Sequence, residues 1–360
     1  VEKEKVIVAM SGGVDSSVTA ALLLEQGYEV IGVTMQIWDP EQTEVGDDFV
    51  GCCSLSAVDD ARAVAHKLGI AYYVLNFRSL FETEVIDNFV SEYLSGRTPN
   101  PCVVCNRSIK FEALLKKALG LGARYMATGH YARLGYDNTL RRYYIKKAAD
   151  PVKDQTYFLY PMTQQQIAHT LMPLGGLTKN EVRAMAAERG LRVAKKPESQ
   201  EICFVTNNDY HSFIKEYTGE KIEPGPFLDL EGNVLGEHKG IPFYTIGQRR
   251  GLGLAMGEKV YVINIDMARN AVIVGPQEAL ECSELVAEDN NFILYEELDD
   301  VMEAEVQIRY NGQPVPATLY PAGDGTVKVV FKEPQRAVTP GQAVVYYRGE
   351  YLLGGGTIVK

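Results

Sequence analysis

Over its first 130 residues the chain alternates short apolar runs with amphipathic stretches of helical length. No other feature restricts its fold as much. Residues 5–11 (KVIVAMS) are an apolar run ending in small residues, and Val14–Gln26 has helical periodicity and stops at Gly27. Residues 28–37, 71–77 and 124–130 read as further strands, with helices over Ser56–Leu68, Leu80–Leu94 and Ile109–Leu119. Strands alternating with helices of this length predict an α/β fold with a doubly wound parallel sheet. Ligands of such sheets bind at the carboxyl ends of the strands. That rule would gather the SGG after the first strand, Met35 near the end of the second and the ATGH closing the fourth at one crevice.

The pattern changes further along. Residues 131–147 read as a hairpin, 153–170 as a helix, and 178–189 as a helix with Thr178 as N-cap and Glu181 completing a capping box. From about residue 208 Gly and Pro become frequent and short β-branched runs recur (VYVINID, AVIVG, EAEVQIRY, PVPATLY, TVKVVF, QAVVYY). This predicts a small β-rich central domain and a C-terminal β-barrel. The boundaries fall near 205 and 282, giving domains over 1–205, 206–281 and 282–360.

Hydrophobic residues at 46% and charged residues at 23% suit a globular chain with a sizeable core. Six cysteines are too few and too unevenly spaced for a disulfide scaffold, so reduced thiols in a cytoplasmic protein are expected. VEKEKVIVAM carries no leader pattern, and no apolar run approaches the roughly 18 residues of a membrane span, so no membrane association is expected. A net charge of −11 argues against indiscriminate nucleic-acid binding and allows only a confined basic footprint.

Residues 9–16, AMSGGVDS, lie where the first strand meets the first helix. Gly12 and Gly13 let the backbone approach an anion, and the N–H groups of a helix start bind phosphate. The competing reading is a plain glycine turn with Asp15 in a helix first turn, where acids are favoured anyway. Neither GxxxxGK[ST] nor GxGxxG is present. Cys102 and Cys105 form a C-x-x-C within TPNPCVVCNRSIKF (98–111), and Cys203 lies in KPESQEICFV (196–205). Pro99 and Pro101 are read as forbidding helix there, so Cys105 would lie just before a helix start, near Arg107 and Lys110. Both features favour the thiolate. Four readings stand side by side: a structural zinc site, which lacks a fourth ligand, buried core cysteines, a redox or persulfide pair, and a three-cysteine iron–sulfur site. Cys52 and Cys53 are read as structural and Cys282 as core.

SGGVDSS resembles the signature of the PP-loop, or N-type, ATP pyrophosphatases, which cleave ATP between the α- and β-phosphates and adenylate a substrate oxygen. The loop alone implies ATP use without naming the substrate. The whole chain resembles the bacterial tRNA-specific 2-thiouridylases, through SGGVDSS (11–17), PNPCVVCNRSIKF (99–111), ATGHYAR (127–133), KDQTYFL (153–159), ESQEICF (198–204), HKGIPFYTIGQRRGLG (238–253), QIRY (307–310) and AVTPGQAVVYY (337–347). The resemblance implies ATP held by Ala9, Met10, Ser11, Gly12, Gly13, Val14, Asp15 and Ser16, with Met35 and Gly129 on the adenosine and Asp15 serving Mg²⁺ or the loop itself. It implies catalysis by Cys203, which takes a persulfide sulfur from a cysteine desulfurase or a sulfur-relay carrier, and by Cys105, which breaks the remaining disulfide. It also implies tRNA contacts at Asn100, Pro101, Cys102, His130, Lys153, Asp154, Gln155, Arg309, Tyr310 and Gln342, with tRNAs for Lys, Glu and Gln as substrates.

The chain departs from many family members at Cys102, where they carry an aspartate fit for acid/base work. In this it resembles a subgroup proposed to hold a 4Fe-4S cluster, here on Cys102, Cys105 and Cys203. Two further functions are weighed against tRNA thiolation. Another PP-loop ligase acting on a small molecule would suit the acidic charge but not the three cysteines. A non-catalytic nucleotide-dependent RNA-binding module would leave thiolation unchanged when Cys203 is replaced.

Overall fold

The computed structural model describes residues 3–37, 55–197, 202–205, 209–219 and 221–359. Cys52 and Cys53 lie outside the described residues. The chain forms two compact units, one of Val1–Val85, Cys102–Asn208 and Glu350–Leu352, the other of Ile86–Pro101, Asp209–Gly349 and Leu353–Lys360.

The first unit is the expected doubly wound α/β domain. Strands β1 (Lys5–Ala9), β2 (Glu29–Gln36), β3 (Ala71–Asn76), β4 (Tyr125–Ala127) and β7 (Thr170–Leu171) are parallel, in the order β3-β2-β1-β4-β7. β1 is covered on both faces, and Val6, Ile7 and Val8 are at most 1% exposed. An uninterrupted apolar run is what a central parallel strand requires, and each such side chain contributes about 1.5–3 kcal/mol on burial. Helices α1 (Val14–Glu25) and α2 (Leu55–Leu68) follow β1 and β2, and the hairpin β5 (Arg133–Asp137) and β6 (Arg142–Lys146) falls where expected. Helix α8 (Lys179–Glu188) starts with the expected capping box of Thr178 and Glu181, and buries Val182 and Ala186 in the core that also holds Val14 and Val18.

Three expectations need correction. Residues 153–170 are not one helix: a 3₁₀ turn (Thr156–Phe158), a capped helix α7 (Gln164–Ala168) and strand β7 divide them, because Pro161 disfavours helix before it and Thr163 starts α7 afresh as its N-cap. After α3 (Arg78–Phe81) the chain passes through a π-helical turn, Glu82–Ile86, before α4 (Asp87–Leu94). Most consequentially, helix begins at Pro101 and not at 109. α5 (Pro101–Val104) leads into a π-helical stretch, Cys105–Leu114, and then α6 (Leu115–Gly120). Proline is favoured as the first helical residue, where its missing N–H costs nothing and its φ is already helical. Cys102 and Cys105 therefore lie inside the helix and not in a loop before it.

In the second unit, α4 packs on a helix that the β-rich reading missed, α9 (Tyr210–Thr218). Tyr93 stacks on Tyr210 with centroids 4.8 Å apart, and Tyr217 donates to Asp87 at 2.7 Å. Strands β8 (Gly225–Leu228), β9 (Val234–His238), β10 (Tyr261–Asp266) and β11 (Ala271–Gly275) form a four-stranded sheet around Phe227, Phe243, Val262 and Val274. Strands β12 (Glu281–Phe292), β13 (Met302–Gln307), β14 (Val315–Pro321), β15 (Val327–Arg336), β16 (Ala343–Arg348) and β17 (Tyr351–Ile358) follow in the order β12-β15-β14-β13-β16-β17. Pairing of β17 with β12 closes them into a barrel. Cys282 is half-buried on β12 and donates to the Glu284 carbonyl, so it is not a core residue.

Candidate active site

The loop after β1 is built to present N–H groups. Gly12 adopts φ +67°, and a Cβ there would lie 2.1 Å from the Ala57 carbonyl oxygen. Only glycine fits, on both backbone and steric grounds. The N-cap of α1, Gly13, has no side chain to cap the helix, so the helix start keeps N–H groups for an anion. Internal hydrogen bonds fix the loop: Ser11 N–H donates to Ser16 Oγ at 3.2 Å, and Ser17 Oγ donates to the Gly13 carbonyl at 2.8 Å. Gly129, just past β4, presses on the same helix start, where a Cβ would meet Ser16 N at 2.8 Å. The Met10 carbonyl accepts from Thr34 Oγ1 at 2.7 Å, which joins the loop to β2 beside half-buried Met35. Residues 9–16, Met35 and Gly129 thus gather at the carboxyl ends of β1, β2 and β4, on either side of the point where strand order reverses.

Two lysines that no spacing in the sequence singled out also reach this loop. Lys179 Nζ lies 2.8 and 2.7 Å from the two carboxylate oxygens of Asp15, and Tyr131 OH donates to Asp15 Oδ1 at 2.7 Å. The Lys179 side chain is only 9% exposed. Lys196 Nζ donates to the Gly12 carbonyl at 3.2 Å and to Asp60 Oδ2 at 2.6 Å, and Arg192 holds the other Asp60 oxygen at 2.6 Å. Lys179 read only as the residue after an N-cap. Separations of 164 and 184 residues are invisible to any local pattern.

Beside Lys179 opens a cavity of about 700 Å³ lined in part by Lys153, Arg183, Asp150 and Pro197. Asp150 accepts from the Val152 and Lys179 N–H groups at 3.0 Å each, and the lining carries the cations of Lys153 and Arg183 beside this one carboxylate.

Cys102 is exposed in the first turn of its helix, and Cys105, half-buried, sits where α geometry gives way to π. π-Helical segments concentrate at functional sites. Next to it, Asn106 is buried and donates to the Phe158 carbonyl, while its Oδ1 has no partner. Cys203 is half-buried in a short turn whose next residue, Phe204, packs edge-on against Phe81 at 5.8 Å. Phe81 belongs to α3, which also packs on the π-helical stretch, so both thiol-bearing segments rest on one short helix. Among the described residues, no group of three or more His, Cys, Asp or Glu side chains is placed to hold a metal ion. A cluster on Cys102, Cys105 and Cys203 does not fit this arrangement.

A family model described as the tRNA methyl transferase HUP domain matches residues 4–207. Models described as the tRNA methyl transferase PRC-barrel domain and the aminomethyltransferase β-barrel domain match 211–276 and 282–358. The tRNA-specific 2-thiouridylase MnmA of Desulforamulus reducens is 66% identical over 358 residues, covering 99% of this chain and 98% of the relative. The proteins of that name from Pelotomaculum thermopropionicum and Carboxydothermus hydrogenoformans are 61% and 60% identical, again across 99% of this chain and 98% of each relative. The chain belongs to the tRNA-specific 2-thiouridylase family.

The other residues singled out by family resemblance occupy varied settings. His130 is buried at 9% exposure; it shares a 2.8 Å hydrogen bond with Thr128 through Nδ1 and packs on Phe111. Asp154 accepts from the Ala148 N–H and from Thr156 Oγ1, and burial raises its carboxyl pKa. Gln155 Oε1 accepts from the Tyr131 N–H at 2.9 Å, which places the ring whose hydroxyl reaches Asp15. In the second unit, Gln342 Nε2 donates to the carbonyls of Thr98 and Pro99 at 3.0 and 2.9 Å, bracing the backbone that leads to Asn100 and Pro101. Arg309 donates to the carbonyls of Arg336 and Ala337, next to the 38%-exposed Tyr310. In this thiouridylase family member several polar groups thus organise backbone.

Burial lowers the pKa of His130 well below the usual histidine range, with the nearby charge of Lys110 adding to the effect. Burial also lowers those of His211 and His238. Below about pH 6.5 the unfolded chain takes up protons that these folded imidazoles refuse, so stability falls as pH falls. One proton corresponds to about 1.4 kcal/mol per pH unit. Denaturant midpoints at pH 7.5 and 5.5 should show this loss. His130→Asn, which keeps a hydrogen-bonding side chain beside Thr128, should show a smaller one; an equal loss in the variant would contradict the assignment.

Proposed function

We propose that this chain is an ATP-dependent tRNA-uridine 2-sulfurtransferase acting on the wobble uridine at position 34. The observation that carries the reading is a preorganised phosphate nest in the same compact unit as Cys105 and Cys203. Residues 9–16 hold the ATP phosphates, and Met35 and Gly129 border the adenosine. The uridine C2 oxygen attacks the α-phosphorus and pyrophosphate leaves, which turns a poor leaving group into AMP. The terminal sulfur of a Cys203 persulfide attacks C2 and AMP departs. The Cys105 thiolate then attacks the Cys203 sulfur, freeing 2-thiouridine and leaving a Cys105–Cys203 disulfide. That step supplies the two electrons that reduce the persulfide sulfur, and a cellular thiol reductant restores the enzyme.

Mg²⁺ would enter on the nucleotide phosphates. Asp15 does not fit as its ligand, since both its oxygens lie within 2.8 Å of Lys179 Nζ. Asp15 is therefore a positioning residue for the loop. The cavity lined by Lys153 and Arg183 suits RNA phosphates, with Asn100, Pro101, Cys102 and His130 around the flipped-out base and Arg309, Tyr310 and Gln342 contributing from the β-rich part. Residues 1–205 form the catalytic domain, and 206–281 and 282–360 are β-modules that grip the tRNA. A cysteine desulfurase or a sulfur-relay carrier supplies the persulfide, the tRNAs for Lys, Glu and Gln are the substrates, and the reaction takes place in the cytoplasm.

The family model's description speaks of methyl transfer, whereas the relatives' names speak of thiolation; the phosphate nest and the thiols of Cys105 and Cys203 within one compact unit favour the latter. Pyrophosphate release measured with and without tRNA tests this reading. Release that needs tRNA is expected, and release equally fast without it would return the small-molecule ligase to favour.

A further inference from the structure

The anion nest needs something to aim it, because the loop contains no lysine of its own. In a planar trans amide the carbonyl of one residue and the N–H of the next point in opposite directions. If the Gly12 carbonyl is drawn one way, the Gly13 N–H is driven the other. The group that draws it is the ammonium of Lys196, 3.2 Å away. That ammonium is not adrift: Asp60, on α2, holds it at 2.6 Å and is itself held by Arg192 at 2.6 Å. The same helix supplies Ala57, against whose carbonyl Gly12 is packed too closely for any side chain. The loop is thus caught between the backbone of α2 and a lysine whose position α2 also sets. The contact is made only 23% exposed at the Lys196 side chain, where a charged donor to a carbonyl is stronger than a neutral one.

We infer that Lys196 is a positioning residue for the phosphate nest, turning the Gly12–Gly13 peptide so that its N–H faces the pyrophosphate moiety of ATP. The inference rests on the reading of residues 9–16 as the nucleotide loop. Asp60 sets Lys196, and Arg192 serves only to support Asp60. Lys196 does not need to touch the phosphates.

The test is calorimetric binding of inorganic pyrophosphate to the full chain, alongside the KM for ATP and kcat of tRNA-dependent AMP release. Lys196→Met should weaken pyrophosphate binding and raise the KM for ATP by roughly 10- to 100-fold, the range expected for losing one charge-assisted hydrogen bond. kcat should move much less. Lys196→Arg should recover most of the loss, and Arg192→Met, which removes only the support of Asp60, should show a smaller loss in the same direction. If Lys196→Met does not fold, Lys196→Gln is read in its place with the same expected loss. A folded variant that binds pyrophosphate within threefold of wild type overturns the inference while leaving the nucleotide loop intact. Wild-type protein that binds no pyrophosphate overturns the loop reading and this inference with it.

Discussion

Replacing Cys203 with serine is expected to lower 2-thiouridine formation by about 10³-fold or more while the first tRNA-dependent release of pyrophosphate survives. The magnitude follows from removing a nucleophile that has no substitute. A serine hydroxyl can neither carry a persulfide nor leave as a thiolate in disulfide exchange. Adenylation uses none of the Cys203 chemistry, because the uridine oxygen and the α-phosphorus react within the loop's grip. The two activities should therefore separate, and mass spectrometry of nucleosides beside a pyrophosphate assay reads both. Cys105→Ser should differ in kind: sulfur reaches C2, but the mixed disulfide between Cys203 and the tRNA is not resolved, so a covalent protein–RNA species should accumulate. Unchanged tRNA thiolation in cells whose protein carries Cys203→Ser would favour a non-catalytic RNA-binding role.

The second large effect concerns Asp15 and Lys179. Asp15→Ala leaves the ammonium of Lys179 with a side chain 9% exposed and its carboxylate gone. Lys179→Met leaves the Asp15 carboxylate beside a site meant for phosphates. Breaking a well-buried pair costs about 3–5 kcal/mol; with the Asp15 side chain 30% exposed, about 1–3 kcal/mol is expected for either variant. That corresponds to a fall in Tm of several degrees in a chain of this size. AMP formation should be lost in both single variants, by misplacement of the helix start after Asp15→Ala and by charge repulsion of ATP after Lys179→Met. The double variant Asp15→Ala, Lys179→Met should be more stable than the two single costs added together would allow, because neither charge is left alone. Strict additivity, or wild-type turnover in Asp15→Ala, would remove the pair from the account.

How much of this could be read in advance depends on the range over which each signal acts. The phosphate loop is legible because strand, glycines and helix start lie within eight consecutive residues, and their chemistry follows from backbone geometry. The capping box at Thr178 and Glu181 is legible for the same reason. The helix start at Pro101 is misread when proline is treated only as a breaker; at the first helical position it is an initiator. Residues 153–170 look helical because buried Tyr157 and Tyr160 lie three residues apart, a helical spacing that the turn before Pro161 also satisfies. The charge pairs Asp15–Lys179 and Asp60–Lys196 exist only once the chain has folded back on itself, so the electrostatics of the loop were beyond any reading of local sequence.

The account centres on sulfur transfer between Cys203 and Cys105. It is tested most directly by a single turnover with protein carrying a Cys203 persulfide, ATP and unmodified tRNA, quenched with an alkylating agent and digested for mass spectrometry. One Cys105–Cys203 disulfide per 2-thiouridine formed is the expected result. Stoichiometric 2-thiouridine with both thiols recovered in alkylated, reduced form would contradict it.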